Sequence, residues 1–260
     1  GKGVEILRSH GVEVETGVLR AACDALNPVF FHYIRTKRPY VVMKYAMTLD
    51  GKIATRTGAS QWITGEAARQ RVHQDRHRYR GILAGVGTVL ADDPLLTCRM
   101  ENGRNPVRVI CDTRLRTPLD SRIVRTANEV ETILATCETD GERIAPYTAA
   151  GCQVWQLPAR EGHVDLSALM DRLGAAEIDG VLLEGGGTLN WSMLEAGLVQ
   201  RVQAYIAPKL FGGVGAKSPV EGTGVELPAQ AARLRNPTVT RLGEDFLLEG
   251  EVDADVYGDR

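Results

Sequence analysis

The 260 residues are poor in several features that would assign a protein quickly. No apolar run approaches the roughly 20 residues that a membrane span needs. The opening residues do not read as the apolar stretch of a secretion signal. Five cysteines, Cys23, Cys98, Cys111, Cys137 and Cys152, lie scattered without a C-x-x-C pair. A disulfide framework or a structural zinc site is therefore not expected, and a reducing cytoplasm suits the chain. A formal net charge of −2 gives no general field toward nucleic acid or anionic membrane, so attraction to phosphate must come from local clusters. The dinucleotide fingerprint G-x-G-x-x-G is absent, and so is a P-loop lysine.

What is present reads as an α/β protein. The length allows one large domain, or one domain with an appendage. The first 38 residues give a short helix over 4–9, a strand-like stretch at 12–14, and an apolar segment over 19–34 that Pro28 should kink. Pro39 then pushes the chain into extended structure. Strands are expected over 40–45, 81–85, 107–112, 132–136, 153–157, 180–184, 202–207 and 245–250. Helices are expected over 66–79, 166–175 and 189–196. Continuous apolar strands such as Val181-Leu182-Leu183 indicate burial on both faces, and the alternation implies a mainly parallel sheet covered by helices. Ligands of such sheets sit at the carboxyl ends of the strands.

Glu184-Gly185-Gly186-Gly187-Thr188-Leu189 follows an apolar strand and opens a helix. Glycines let a backbone approach a ligand, and a helix start offers free N–H groups to an anion. A tight turn that needs glycine for its angles explains the same letters. Glu184 stands where an active site would, and burial could raise its pKa enough to make it an acid. A strand-end glutamate facing water is the alternative. Gly85-Val86-Gly87-Thr88 ends a second strand and leads to Asp92-Asp93-Pro94, which by itself signals a turn. Arg69 and Arg76 lie seven residues apart on one helix face, and either could reach a phosphate. His73 and His77 are spaced i, i+4, but Gln74 stands where a zinc protease carries glutamate, so no metal site is expected. Lys44 ends the first strand of the larger part, and Asp50-Gly51 reads as a turn.

Five segments occur in order: KYAMTLDGK from Lys44 to Lys52, Ser60-Gln61-Trp62-Ile63-Thr64, the stretch from Gly87 to Pro94, the Glu184 to Leu189 motif, and Ala207-Pro208-Lys209-Leu210-Phe211-Gly212-Gly213. Together they resemble the reductase domain of the bacterial bifunctional riboflavin-biosynthesis deaminase/reductase, the RibD/RibG family, from about Pro39 to about Val252. The resemblance implies a dihydrofolate-reductase-like fold, a mixed and mainly parallel sheet flanked by helices. It implies NADPH as hydride donor and 5-amino-6-(5-phosphoribosylamino)uracil as acceptor. On matching positions, Ala46, Trp62, Thr88, Asp92 and Thr113 would contact NADPH, and the turn of Gly186, Gly187, Thr188, Leu189, Asn190, Trp191 and Ser192 would hold its phosphates. Ser60, Arg76, Leu96, Arg99 and Glu184 would contact the substrate, the arginines taking its 5′-phosphate. Lys44, Asp92 and Glu184 are the candidates for proton handling, and Arg114 for reading the 2′-phosphate that separates NADPH from NADH. A homodimer or larger assembly is also implied.

The family's deaminase motifs, H-x-E and P-C-x-x-C, do not occur. Residues 1–38 instead resemble the end of that deaminase domain and its link, leaving 39–260 as the reductase domain. No deamination is expected of this chain. Two rival readings stay open: another dihydrofolate-reductase-like enzyme acting on a pterin or pyrimidine, and a non-catalytic NADPH-binding module. Nucleic-acid binding has little support, because the basic helix is short and lacks interleaved aromatics. The polar tail over 253–260 is expected to be disordered.

Overall fold

Proline punctuates the front of the chain in the computed structural model, which describes residues 2–253. Helix α1 (Lys2–Ser9) closes with the Val12 amide donating to the Leu7 carbonyl at 3.1 Å. The strand expected at 12–14 does not form: it finds no partner strand, and the Val14 carbonyl accepts from Arg8 instead. The segment over 19–34 is two helices, α2 (Arg20–Leu26) and α3 (Pro28–Thr36). Pro28 takes the first position of α3, where its missing N–H costs nothing.

The rest follows as β1 (Tyr40–Thr48), α4 (Glu66–Arg78), β2 (Gly81–Gly85), α5 (Val86–Asp92), β3 (Val107–Cys111), α6 (Arg122–Arg125), β4 (Thr132–Thr136) and α7 (Gly141–Ala149). Then come β5 (Gln153–Gln156), β6 (Ala159–Arg160), β7 (His163–Val164), α8 (Leu166–Ala175), β8 (Gly180–Leu183), α9 (Gly187–Glu195), β9 (Arg201–Ala207), β10 (Leu234–Leu242) and β11 (Asp245–Val252). The eight strands expected from residue 40 onward all form, with ends shifted by up to three residues. Strand β10 was not foreseen, because its residues are almost all exposed and show no apolar alternation.

One nine-stranded sheet runs in the order β10-β11-β9-β1-β8-β2-β3-β4-β5. Strands β9 through β5 of that order are parallel, and β11 and β10 close one edge antiparallel. This is the expected mixed, mainly parallel sheet. Side chains alternate between its faces. Val41, Met43, Val181, Leu183, Leu83, Val109 and Ile133 meet Leu169, Met170 and Leu173 of α8 and Met193 and Leu194 of α9. On the other face Ile82, Ala84, Ile110 and Leu134 meet Val86, Val89, Ile123, Val124 and Tyr147. Ala68 and Val72 of α4 pack there on Tyr205 and Leu247.

Arg108 breaks that apolar pattern. It is wholly buried on β3 and makes no ion pair among the described residues; burial pushes its pKa down to about 10, against a smaller upward pull from Glu129, so it still carries its charge at neutral pH. Its guanidinium donates to the carbonyls of Leu95, Ile123, Thr126 and Val130 and to the hydroxyls of Thr126 and Thr132. Thr126 and Val130 have further donors, in the Glu129 and Val130 amides and the Thr132 hydroxyl, but the carbonyls of Leu95 and Ile123 are satisfied by this one side chain among the described residues. Arg108→Met should destabilise the protein by about 3 kcal/mol, since the Leu95 and Ile123 carbonyls are left without a donor. Urea unfolding would show a lower midpoint at unchanged slope; a loss under about 1 kcal/mol would mean that the arginine is dispensable.

Candidate active site

The chain path creates a crevice at the carboxyl ends of three strands. After β1 the chain moves outward through β2, β3, β4 and β5, then returns to place β8 between β1 and β2 and β9 on the far side of β1. Such a reversal leaves the outgoing loops diverging, with room between them. Strand β8 stops at Leu183, which pairs with Met43, while β1 continues to Thr48. Lys44 therefore stands beside Glu184 as the latter leaves the sheet. Helix α4 packs across the same face and supplies Arg76.

These three side chains make one ion cluster. Arg76 grips Glu184 with two bonds, Nε to Oε1 at 2.7 Å and Nη2 to Oε2 at 2.9 Å. Lys44 Nζ lies 3.3 Å from Oε2, and 5.8 Å above the ring of buried Tyr205. All three side chains are largely buried, at 10–14% exposure. Burial alone would push the Glu184 carboxyl up, but Arg76 and Lys44 outweigh it and hold the group well below the usual carboxylate range. The expectation that burial would make Glu184 an acid is thereby corrected: the carboxylate is ionised and serves as a fixed negative charge between two cations.

Arg76 is committed as well. Its remaining arm, Nη1, donates to the Thr97 carbonyl at 3.0 Å, tying α4 to the loop that carries Leu96 and Arg99. Leu96 is buried at a positive φ of 52°, and Arg99 is exposed. The paired histidines serve this loop rather than a metal. His73 faces the Arg99 amide and side chain, each at 3.2 Å, and His77 Nδ1 accepts from the Arg104 amide at 2.9 Å. Burial, with Arg76 and Arg99 close by, pushes His73 down to about 4, so the ring is neutral and only one of its nitrogens can accept. Arg69 shares a helix face with Arg76 yet turns elsewhere: its guanidinium lies 4.8 Å over the Trp62 ring, and it donates to the Thr64 carbonyl.

The two glycine turns face each other across the crevice. A Cβ placed on Gly186 would come 3.8 Å from Thr88 Oγ1, and one on Gly85 would come 3.7 Å from Leu189 Cδ2. Helix α9 begins at Gly187, two residues earlier than the sequence indicated, with Gly186 as its cap and no side chain capping it. The first-turn amides of Gly187, Thr188 and Leu189 are therefore free of intrahelical partners, as an anionic ligand requires. Asn190, Trp191 and Ser192 sit one turn further in. Asn190 Nδ2 donates to the Pro219 carbonyl, whereas Asn190 Oδ1 and the indole N–H of Trp191 are buried without a partner among the described residues. The closeness of two glycine turns and the uncapped helix start fit a dinucleotide, with the Glu221 side chain and the Ser218 carbonyl packed against Gly187.

The other expected residues divide into near and far. Ser60 Oγ donates to Asp92 Oδ1 at 2.9 Å, bringing together the loop after β1 and the end of α5. Ala46 lies on β1 against α4, and Trp62 is 56% exposed at the rim. Thr113 lies beyond β3, where its hydroxyl accepts from the Val164 amide at 3.3 Å; Arg114 beside it is exposed, its carbonyl accepting from Arg143. Asp50, Lys209 and Arg108 carry structural bonds that the sequence did not disclose; only the motif positions of the first two hinted at them.

The depressed Glu184 pKa stabilises the fold above its unfolded value of about 4.5, and that contribution is lost as pH falls below it. Glu184→Gln should cost about 3 kcal/mol at pH 7 by leaving two cations without their counter-charge. The gap between wild type and variant in chemical unfolding should narrow steadily below pH 4.5, and a pH-independent gap would contradict the ion cluster.

Residues 39–248 match the RibD C-terminal domain family. The chain is 54% identical over 249 residues to the riboflavin biosynthesis protein RibD of Actinobacillus pleuropneumoniae, covering 96% of this chain but 66% of that protein. It is 43% identical to the 2,5-diamino-6-ribosylamino-4(3H)-pyrimidinone 5′-phosphate reductase of Methanothermobacter thermautotrophicus, across 82% of this chain and 97% of the relative. The structure of Acinetobacter baumannii RibD superimposes with a TM-score of 0.83 at 32% identity, over 97% of this chain and 69% of that one. The chain thus spans about two thirds of the RibD proteins it matches, and the part it corresponds to is their reductase portion. By sequence and by fold, the chain belongs to the RibD C-terminal domain family.

Proposed function

We propose that the chain reduces 5-amino-6-(5-phosphoribosylamino)uracil at C1′ of its ribosyl group, using NADPH, to give the ribitylamino product. The observation that carries this reading is the Lys44–Glu184–Arg76 cluster, set beside two facing glycine turns at the carboxyl ends of β1, β2 and β8. The names of the relatives supply the substrate class. In this reading residues 1–38 are the link to a preceding unit, and 39–260 form the reductase.

The reduced dinucleotide would supply a hydride; the turn from Gly186 to Leu189 would hold its phosphates, and Ala46, Trp62, Thr88, Asp92 and Thr113 would contact it. The substrate's ribosylamine ring opens as the proton of the glycosidic N–H moves to the ring oxygen, leaving an imine at C1′. Hydride adds to that carbon, and the nitrogen takes one proton. Lys44 is the group of this chain that can deliver it, being an ammonium with three donors at the head of the crevice. Glu184 holds Lys44 in place by charge, and Arg76 holds Glu184. The Ser60–Asp92 pair closes the cofactor side and can accept from a sugar hydroxyl. Leu96 lines the substrate loop. Arg99 is exposed, and its two Nη atoms have no partner among the described residues, so it is better placed than Arg76 to take the 5′-phosphate. Arg114, exposed past the end of β3, is the candidate for the 2′-phosphate of NADPH.

The direct test is NADPH consumption with the phosphorylated pyrimidine, with the product identified by mass. Turnover should need the 5′-phosphate and should fall with NADH. Binding of NADPH without oxidation in the presence of this acceptor would leave only a binding module. Glu184→Gln should lower kcat about a hundredfold with NADPH affinity changed by less than about threefold, the pattern of an interaction needed for the reacting state. Equal losses in both would remove Glu184 from the chemistry.

A further inference from the structure

Asp50-Gly51, at the end of the first ordered motif, and the whole of the last, from Ala207 to Gly213, have no part in the chemistry above. In the fold they meet. Asp50 Oδ1 accepts from the Thr48 hydroxyl at 2.5 Å and from the Phe211 amide at 3.1 Å, and Oδ2 accepts from the Gly212 amide at 2.7 Å. The Leu49 amide donates to the Lys209 carbonyl at 2.8 Å. The turn after β9 is thus fastened to the turn after β1. From that fastened base Lys209 extends across the loop between β1 and α4. Its Nζ donates to the Ile63 carbonyl at 2.8 Å and approaches the Trp62 carbonyl at 3.4 Å.

Trp62 is therefore held at two points. Lys209 secures its backbone, and the Arg69 guanidinium lies 4.8 Å over its ring, while more than half of the residue remains open to solvent. A half-exposed indole on a loop would ordinarily sample several orientations, and fixing it would cost entropy when a ligand binds. An ammonium has three donors and no acceptor, so it can gather two adjacent carbonyls into one charge-assisted contact. Asp50 makes this a rigid support, because the turn from which Lys209 departs cannot slide relative to β1.

We infer that Lys209 is a positioning residue for the cofactor side of the crevice: by binding the Ile63 and Trp62 carbonyls it presets the Trp62 ring for contact with the reduced dinucleotide. The inference rests on the reading that places Trp62 against NADPH. It gives the last motif a task, and it predicts an effect on cofactor binding rather than on the hydride step.

The test uses the full chain, with NADPH itself as the probe and quenching of tryptophan emission as the binding signal. Lys209→Met keeps the apolar stem and removes the donors. It should raise the NADPH Kd about tenfold, the value of roughly one charge-assisted bond. The part of the emission due to Trp62, defined by subtracting Trp62→Phe, should change before NADPH is added. The kcat at saturating NADPH should fall no more than about threefold, and KM for the phosphorylated pyrimidine no more than about twofold. Lys209→Arg, which retains charged donors, should return Kd to within about threefold of wild type. Wild-type NADPH binding by Lys209→Met, alongside weak binding by Trp62→Phe, would overturn the inference and leave the site reading intact. Equal losses in kcat and both KM values, unrescued by arginine, would overturn it too, as the mark of a general structural defect. Wild-type binding by Trp62→Phe would instead fell the placement of Trp62, and this inference with it.

Discussion

A single buried carboxylate organises the crevice. Glu184 sits at the end of a four-residue strand, in surroundings that would otherwise neutralise it, and stays charged because Arg76 and Lys44 surround it. Removing a charge from water costs several kcal/mol, so each partner is needed to keep the others there. Three elements distant in sequence, β1, α4 and β8, are thereby fixed at one point. In the proposed reaction Lys44 supplies the proton, and the Glu184 carboxylate fixes where its side chain lies.

The loop that carries Leu96 and Arg99 depends on the same economy of cations. Its carbonyls at Leu95 and Thr97 accept from Arg108 and Arg76, one wholly buried and the other nearly so. Cys98 donates its amide to Asn105, and both histidines of α4 face the backbone that follows. A loop with a buried leucine at positive φ, with neither helix nor strand to satisfy its carbonyls, needs such donors from beneath. The basic character of α4 is explained by this demand as much as by any ligand. Arg69, Arg76, His73 and His77 each face a loop or a ring of the protein itself.

Much of the fold was legible because apolar runs bounded by glycine and proline mark buried strands whatever their neighbours. The sheet's strands were read within a few residues of their ends, and the glycine turn before α9 announced a helix start. The stretch at 12–14 was misread: three residues of strand-like composition carry no information about whether a partner strand exists. Strand β10 was missed for the opposite reason, since an edge strand exposed along its length has no burial pattern to display. In the site, the family's motifs brought Lys44, Ser60, Arg76, Asp92 and Glu184 into view, and the fold gathered them as two contacting groups.

The sequence by itself determined the class of sheet, the glycine turns at the ends of β2 and β8, and the residue types available for chemistry, because these follow from local propensity and periodicity. The tertiary structure decided the charge state of Glu184, the partners of Arg76, and the bonds of Arg108 and Lys209. Those properties are set by which groups lie within a few ångströms across positions 13 to 147 residues apart, a separation over which no local pattern operates. A pKa and a hydrogen bond depend on that proximity; for Glu184 it exists because β8 lies between β1 and β2.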